Sequence, residues 1–220
     1  MTEEPAAPDG ETEIEAKLLA PDRSVLDALA ARSSIGRFQL RPADDASVHS
    51  TYLDTPDRTL SRNAVALRLR PKPSGCEMTA KWGGSVHGDV HERREVTVAL
   101  DTAPARPIAL PSGRLRETLG RWVGEKPLEA IAVIEIERRT FDVIDATSDR
   151  VAELALDVVR HSAPGAGARS TAYYEVEIEA TGSGAEVVGE IASLLRREYP
   201  LQPTSDTKFS RAMRDLEGDE

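Results

Sequence analysis

In Glu13-Ile14-Glu15-Ala16-Lys17 the side chains alternate between formal charge and apolar character, and that alternation returns along much of the chain. An extended strand sends successive side chains to opposite faces, so Glu13, Glu15 and Lys17 share one face and Ile14, Ala16 and Leu18 the other. Arg68 and Arg70 likewise stand opposite Val65, Leu67 and Leu69. Arg93, Glu95 and Thr97 oppose Val96 and Val98, and Lys81 closes a strand from Glu77 to Trp82. Further strands follow at 132–143 with Arg138 and Thr140, at 151–159 with Glu153 and Asp157, and at 173–180 with Glu175, Glu177 and Glu179. With a strand at 48–54 the total is eight. Formal charge is costly to bury unless it is paired or solvated, so no ordinary sandwich interior accepts these faces. A closed barrel does, because eight strands leave room for side chains or one small ligand. The expected fold is therefore α+β: an eight-stranded β-barrel whose charged faces line a wet tunnel, with flanking helices over the apolar faces.

Helices are expected from Pro21 or Asp22 to Arg32, after a Ser112 cap through Leu115, Leu119, Trp122 and Val123, at 186–199, and at 205–216. Residues 1–10 read as a disordered tail, broken by Pro5, Pro8 and Gly10, which leaves 11–217 as one domain. The 28 Lys and Arg against 38 Asp and Glu give a net charge of −10, a poor balance for binding nucleic acid, so a phosphate site must be local. No stretch approaches the roughly 18 apolar residues of a membrane span, and the acidic, Pro- and Ala-rich start does not read as a signal peptide. The single Cys76 excludes an intrachain disulfide. The simplest expectation is a cytoplasmic protein with no membrane partner; the oligomeric state stays open.

If the charged faces converge, the tunnel holds Lys17, Arg68, Arg70, Lys81, Arg93 and Arg138 together with Glu13, Glu15, Glu95, Asp157, Glu175 and Glu177. Lys208 and Arg211, about one helical turn apart, are placed to cap it. Glu13 and Glu15 lie about 7 Å apart along their strand, close enough for their oxygens to converge on a hard divalent cation. So many like charges repel unless something intervenes; a polyphosphate with a divalent metal neutralises both sets. The alternative is an interior web of salt bridges without ligand. Other signals are weak: His87, Asp89 and His91 lack cysteine partners for zinc, Gly83-Gly84 lacks the P-loop pattern, and Cys76 reads as a packed thiol.

Taken together, Glu13-x-Glu15-x-Lys17, Tyr52-x-Asp54-Thr55, Leu67-Arg68-Leu69-Arg70, Lys81, Arg93-x-Glu95, Arg138, Asp157, Glu175-x-Glu177 and Lys208-x-x-Arg211 resemble the CYTH domains, or triphosphate tunnel metalloenzymes, in the order that family follows. The resemblance implies an antiparallel tunnel in which Lys17, Arg68, Arg70, Lys81, Arg93, Arg138, Lys208 and Arg211 bind a triphosphate. It implies Mg2+ or Mn2+ on Glu13, Glu15, Asp157, Glu175 and Glu177. It implies hydrolysis of inorganic tripolyphosphate or a related triphosphate, with thiamine-triphosphatase, class IV adenylyl cyclase and non-catalytic polyphosphate binding as alternatives. In that picture one metal bridges phosphate oxygens and a second activates water, so Glu15 counts among the catalytic residues. Lys81 and Tyr52 are expected near the attacking water, with Lys81 a general base whose pKa neighbouring cations lower. The thiamine branch places an aromatic platform where this chain has Ala66, which favours the inorganic substrate.

Overall fold

The chain, represented by a computed structural model, is described over residues 10–182 and 184–218. Most of the expected tail lies outside these residues. The elements run β1 (Glu11–Ala20), α1 (Arg23–Ala30), β2 (Ser34–Ile35), β3 (Phe38–Asp54), α2 (Thr59–Arg62), β4 (Ala66–Lys72), β5 (Gly75–His87), β6 (Val90–Leu100) and α3 (Arg114–Val123). They continue with β7 (Glu129–Ile144), β8 (Arg150–Ser162), β9 (Tyr173–Ala180), α4 (Ala185–Glu198), β10 (Gln202–Pro203) and α5 (Lys208–Glu217).

Eight strands hydrogen-bond in the ring order β1-β6-β5-β4-β3-β7-β8-β9, and β9 pairs back onto β1, with every pairing antiparallel. The expected barrel is thus closed, and no edge is left open around the ring. The short β2 and β10 add to β3 and β1. No helix among the described residues is long and apolar enough to cross a membrane.

Apolar outer faces carry the core. Leu18, Leu154, Leu156, Val176 and Ile178 pack with Val25, Leu26 and Leu29 of α1 and Val188, Ile191 and Leu195 of α4. A second cluster joins Leu53, Leu67, Met78, Ala80 and Val96 to Leu115, Leu119 and Val123 of α3. Each fully buried aliphatic side chain contributes about 1.5–3 kcal/mol, so these helices seat firmly. The inward face is not uniformly charged, however. Ile134 and Ile136, on the β7 face that bears Arg138, line the tunnel cavity and pack with Val48, Tyr52, Phe209, Ala212 and Met213, so α5 covers an apolar patch of the inner wall.

Local chemistry sets the ends of elements. Asp22 caps α1, accepting from the Ser24 amide at 2.8 Å. Thr207 caps α5 in a reciprocal bond with Ser210. Asp54, fully buried, accepts from the amides of Thr55, Leu60 and Ser61 and from the Ser61 hydroxyl, which fixes the turn into α2. At Gly75 a Cβ would come within 2.2 Å of the Leu100 carbonyl oxygen, so only glycine fits the β4–β5 turn. Two expectations are corrected. Gly113, not Ser112, precedes α3, with no side-chain cap. β3 begins at Phe38 rather than at residue 48, because pairing with the long β7 holds a segment that shows no apolar alternation of its own.

Candidate functional site

A cavity of ≈ 200 Å3 runs inside the barrel. Its wall includes Glu13, Glu15 and Lys17 from β1, Tyr52 from β3, Arg68 and Arg70 from β4, Lys81 from β5, Arg93 and Glu95 from β6, Arg138 from β7, Glu177 and Glu179 from β9, and Lys208. The period-two faces of seven of the ring's strands therefore meet around this cavity. Arg139, one residue along from Arg138, reaches Asp27 outside instead.

The acidic part of the wall follows from strand register. Arg138 lies directly across from Asp157, and Asp157 across from Glu175, on three adjacent strands. Glu177 is two residues beyond Glu175 on the same face and sits across from Lys17 of β1. Oxygens of Asp157, Glu175 and Glu177 lie within 4.8 Å of one another. Arg138 donates to both oxygens of Asp157 at 2.8 and 2.6 Å and to Glu177 at 2.6 Å. The Lys208 ammonium reaches Asp157 at 3.0 Å, Glu177 at 2.7 Å and Glu175. Burial alone would raise the Glu177 carboxyl, but Lys208, Arg138 and Lys17 hold it well below the usual range. Burial dominates at Glu175 and pushes it up to about 7.

Glu13 and Glu15 do not join this trio. Glu15 is held by Lys17 and by Arg93 at 2.9 Å, and Glu13 by Lys81. The two β1 acids, expected as metal ligands, lie in an ion-pair cluster across β1, β5 and β6 that adjoins the trio through Lys17, which pairs with Glu15 and lies 4.0 Å from Glu177. Lys81 differs as well: it pairs with Glu13 and, at 2.8 Å, with Glu95. Burial would lower its pKa, but Glu13, Glu95 and Glu15 outweigh that and raise it, so the expectation of an easily deprotonated lysine is reversed. Tyr52 stacks on Phe209 with ring centroids 4.7 Å apart, and no hydrogen bond joins it to Lys81 among the described residues. Arg211 is turned from the cavity and lies over the Tyr173 ring, 4.6 Å from its centroid. Helical rotation sends Lys208 inward and Arg211 aside.

The basic wall on β4 is different. Arg68 is 3.4 Å from the Thr79 hydroxyl and Arg70 is 3.3 Å from that of Ser50; neither forms an ion pair with a carboxylate among the described residues. Arg68 Nε is buried with no hydrogen-bond partner. Burial, then the nearby Arg68 and Arg138, pushes Arg70 down to about 10, a mark of crowded positive charge. Ser50 and Thr79 also line the cavity but were not among the candidates, and Glu179, read from the sequence on the face of Glu175 and Glu177, lines it too. Each lies two residues from a candidate, at Tyr52, Lys81 and Glu177, so the same alternation signals all three. Glu179 is pushed up to about 7 by burial and by Glu13 and Glu15.

Such a tunnel can take a polyanion on β4 and, by the hard oxygen donors of its acid trio, a divalent cation. Known structures share its architecture. A Hippeastrum protein described as a candidate adenylyl cyclase with a dominant triphosphatase activity aligns at 20% identity over 90% of this chain and 93% of its own, with a TM-score of 0.62. A Bacillus halodurans protein described as a candidate adenylate cyclase gives 20% identity, 90% and 96% coverage and a TM-score of 0.62. The mimivirus capping-enzyme triphosphatase gives 10% identity, 86% and 90% coverage and a TM-score of 0.50. At these identities the likeness is one of fold. The CYTH domain family model matches residues 11–213, nearly the whole described chain, and the protein belongs to the CYTH domain family.

Proposed function

We propose that the protein is a divalent-metal-dependent triphosphatase that hydrolyses inorganic tripolyphosphate or a closely related triphosphate inside the tunnel. The observation that carries this reading is the pair Arg68 and Arg70, which face the cavity without carboxylate partners although acidic groups crowd the rest of its wall. Two adjacent guanidinium forks held apart from internal acids are suited to phosphate oxygens, which they grip in bidentate fashion.

Asp157, Glu175 and Glu177 would hold Mg2+ or Mn2+, since three carboxylates with oxygens within 4.8 Å offer the hard donors such ions take. Bound there, the cation supplies Lewis acidity and positive charge at phosphate oxygens. The remaining chemistry belongs to the chain. Arg68 and Arg70 orient the triphosphate and meet the charge that develops on the departing phosphate as its anhydride bond breaks and water bonds to phosphorus. Lys17 and Arg93 complete the positive lining, with Glu15 orienting both. Lys81, kept protonated by Glu13 and Glu95, serves as a point charge for phosphate rather than as a base. Tyr52, backed by Phe209, shapes the wall beside Arg68.

Ala66 in the cavity wall supplies no aromatic platform, which favours the inorganic substrate. One observation favours a triphosphate bearing an organic group: a second cavity of ≈ 830 Å3, lined in part by Val65, Trp82, Val86, Phe209 and Met213, shares Lys17, Lys81 and Arg93 with the tunnel. Release of phosphate and of cyclic AMP from tripolyphosphate, ATP and thiamine triphosphate, each with Mg2+ or Mn2+, tests both. Tripolyphosphate cleaved fastest supports the first reading; cleavage of none of the three in either metal refutes both.

A further inference from the structure

Lys208 opens α5 against the barrel wall, and Asp215 returns to the same helix face seven residues later. Residues 208, 211, 212 and 215 share one face at helical spacing, and that face meets the barrel at each of them. Lys208 lies 3.0 Å from Asp157, Arg211 covers the Tyr173 ring, Ala212 is fully buried, and Asp215 stands 3.2 Å from Nε2 of His161. Asp157 and His161 share the inner face of β8 by alternation. Four residues of strand span about 13 Å and seven of helix about 10 Å, so α5 and β8 run side by side over matched lengths. A polar contact ties them at each end.

His161 is out of character with its surroundings. Its side chain is 3% exposed, directly across from Ile134 and in the apolar patch that Ala212 and Met213 cover. Its ring is oriented from behind by Ser170. The Ser170 amide donates to the His161 carbonyl at 2.8 Å, and its Oγ accepts from the His161 amide at 3.0 Å and lies 3.3 Å from Nδ1. Burial, with Arg211, outweighs the pull of Asp215 and holds the imidazole below its usual pKa, so the ring is neutral in neutral solution. A neutral ring has one donor and one acceptor: the Ser170 hydroxyl donates to Nδ1, and Nε2–H donates to Asp215.

We infer that His161 and Asp215 are a positioning pair, whose bond pins the C-terminal half of α5 to β8 and so fixes how the first turn of the helix, with Thr207, Lys208 and Phe209, is set into the tunnel. Apolar contact is non-directional, so the face of Ala212 and Met213 alone would let the helix slide or pivot over the wall. A directional bond at the far end removes that freedom. Because the Asp215 side chain is 52% exposed, water replaces it readily and the pair adds little to stability. Its effect falls on geometry instead, where a displacement of about 1 Å at the reacting groups costs up to about 100-fold in rate. The consequence for turnover rests on the triphosphatase reading; the seating of α5 does not.

The test compares wild type with Asp215→Ala, Asp215→Asn, His161→Gln and the double variant His161→Gln/Asp215→Ala by tripolyphosphate hydrolysis, thermal unfolding and amide hydrogen exchange. Asp215→Ala is expected to lower kcat/KM at least about tenfold while melting within about 3 °C of wild type. Asp215→Asn still accepts the bond and is expected to recover most of the loss, and the double variant is expected to match His161→Gln alone. The amides of Ser210 and Arg211, bonded to Thr207 at the start of α5, are expected to exchange faster in Asp215→Ala although the change lies more than a turn away. Unchanged kinetics, no recovery in Asp215→Asn, additive losses in the double variant, or faster exchange confined to the turn around residue 215 overturns the pin. So does a fall in melting temperature large enough to account for the lost activity. Should His161→Gln fail to fold, the two Asp215 variants carry the same decision. If wild type cleaves no triphosphate, the triphosphatase reading falls by itself, and the exchange of Ser210 and Arg211 decides the pin.

Discussion

The β8–β9 wall of the tunnel and the β4 wall, half the ring of strands away, hold comparable densities of charge but in opposite conditions. On β8 and β9 every acid of the trio is met by Arg138 or Lys208, and the network is complete within the protein. On β4, Arg68 and Arg70 have only hydroxyls at long range, and one buried guanidinium nitrogen has no partner. One wall is stabilised by its own chain, while the other stores like-charge repulsion that a bound anion would relieve. Removing charge should therefore weaken folding on the first wall and ligand binding on the second.

The largest expected effect is on β4. Hydrogen bonds to charged groups contribute about 1.5–3 kcal/mol each, so Arg68→Ala/Arg70→Ala should weaken tripolyphosphate binding at least about 100-fold. The melting temperature should hold or rise, because repulsion is removed. Calorimetric titration with thermal unfolding checks both; a large loss of stability with binding intact would reverse the assignment of the two walls.

Next comes the completed network. Asp157→Asn removes one partner of a buried cluster, leaves Arg138 and Lys208 under-compensated, and should cost about 3–5 kcal/mol in urea unfolding. Arg70→Gln on the other wall should stay within about 1 kcal/mol of wild type. Similar losses at both positions would erase the contrast.

The smallest effect concerns pH. Glu179 is raised from 4.5 to about 7, so the folded protein retains a proton between those values that the unfolded chain has released. Stability contributed by this group is therefore present below about pH 4.5 and falls as pH rises through 7. Glu179→Gln has no such dependence, so its melting temperature should gain on wild type between pH 5 and pH 8. Exposure of part of the side chain moderates the gain. A constant difference across that range would show that Glu179 is not perturbed in the folded tunnel.

The barrel was legible because its cause is local. Side-chain direction along a strand depends only on residue parity, so Glu13, Lys17, Arg68, Arg138 and Glu177 could be assigned to one inner surface before any pairing was known. Helices α1, α4 and α5 were legible for the same reason, from apolar spacing and the Asp22 cap. Polarity failed as a signal where distant partners decide. The early part of β3 is a strand because β7 extends beside it, and Ile134 and Ile136 are apolar on the inward face of Arg138 because α5 covers them.

Sequence by itself determined which residues could line a tunnel, since alternation and charge are properties of single strands. Only the tertiary structure decided which charge meets which. Strand register set Arg138 across from Asp157 and Glu175, and it gave Lys81 to Glu13 and Glu95 rather than to a field of cations. The rotation of α5 about its axis sent Lys208 into the acid trio and Arg211 onto Tyr173. Electrostatic energy depends on distances of a few ångströms between residues far apart in the chain, and those distances exist only once the barrel has closed.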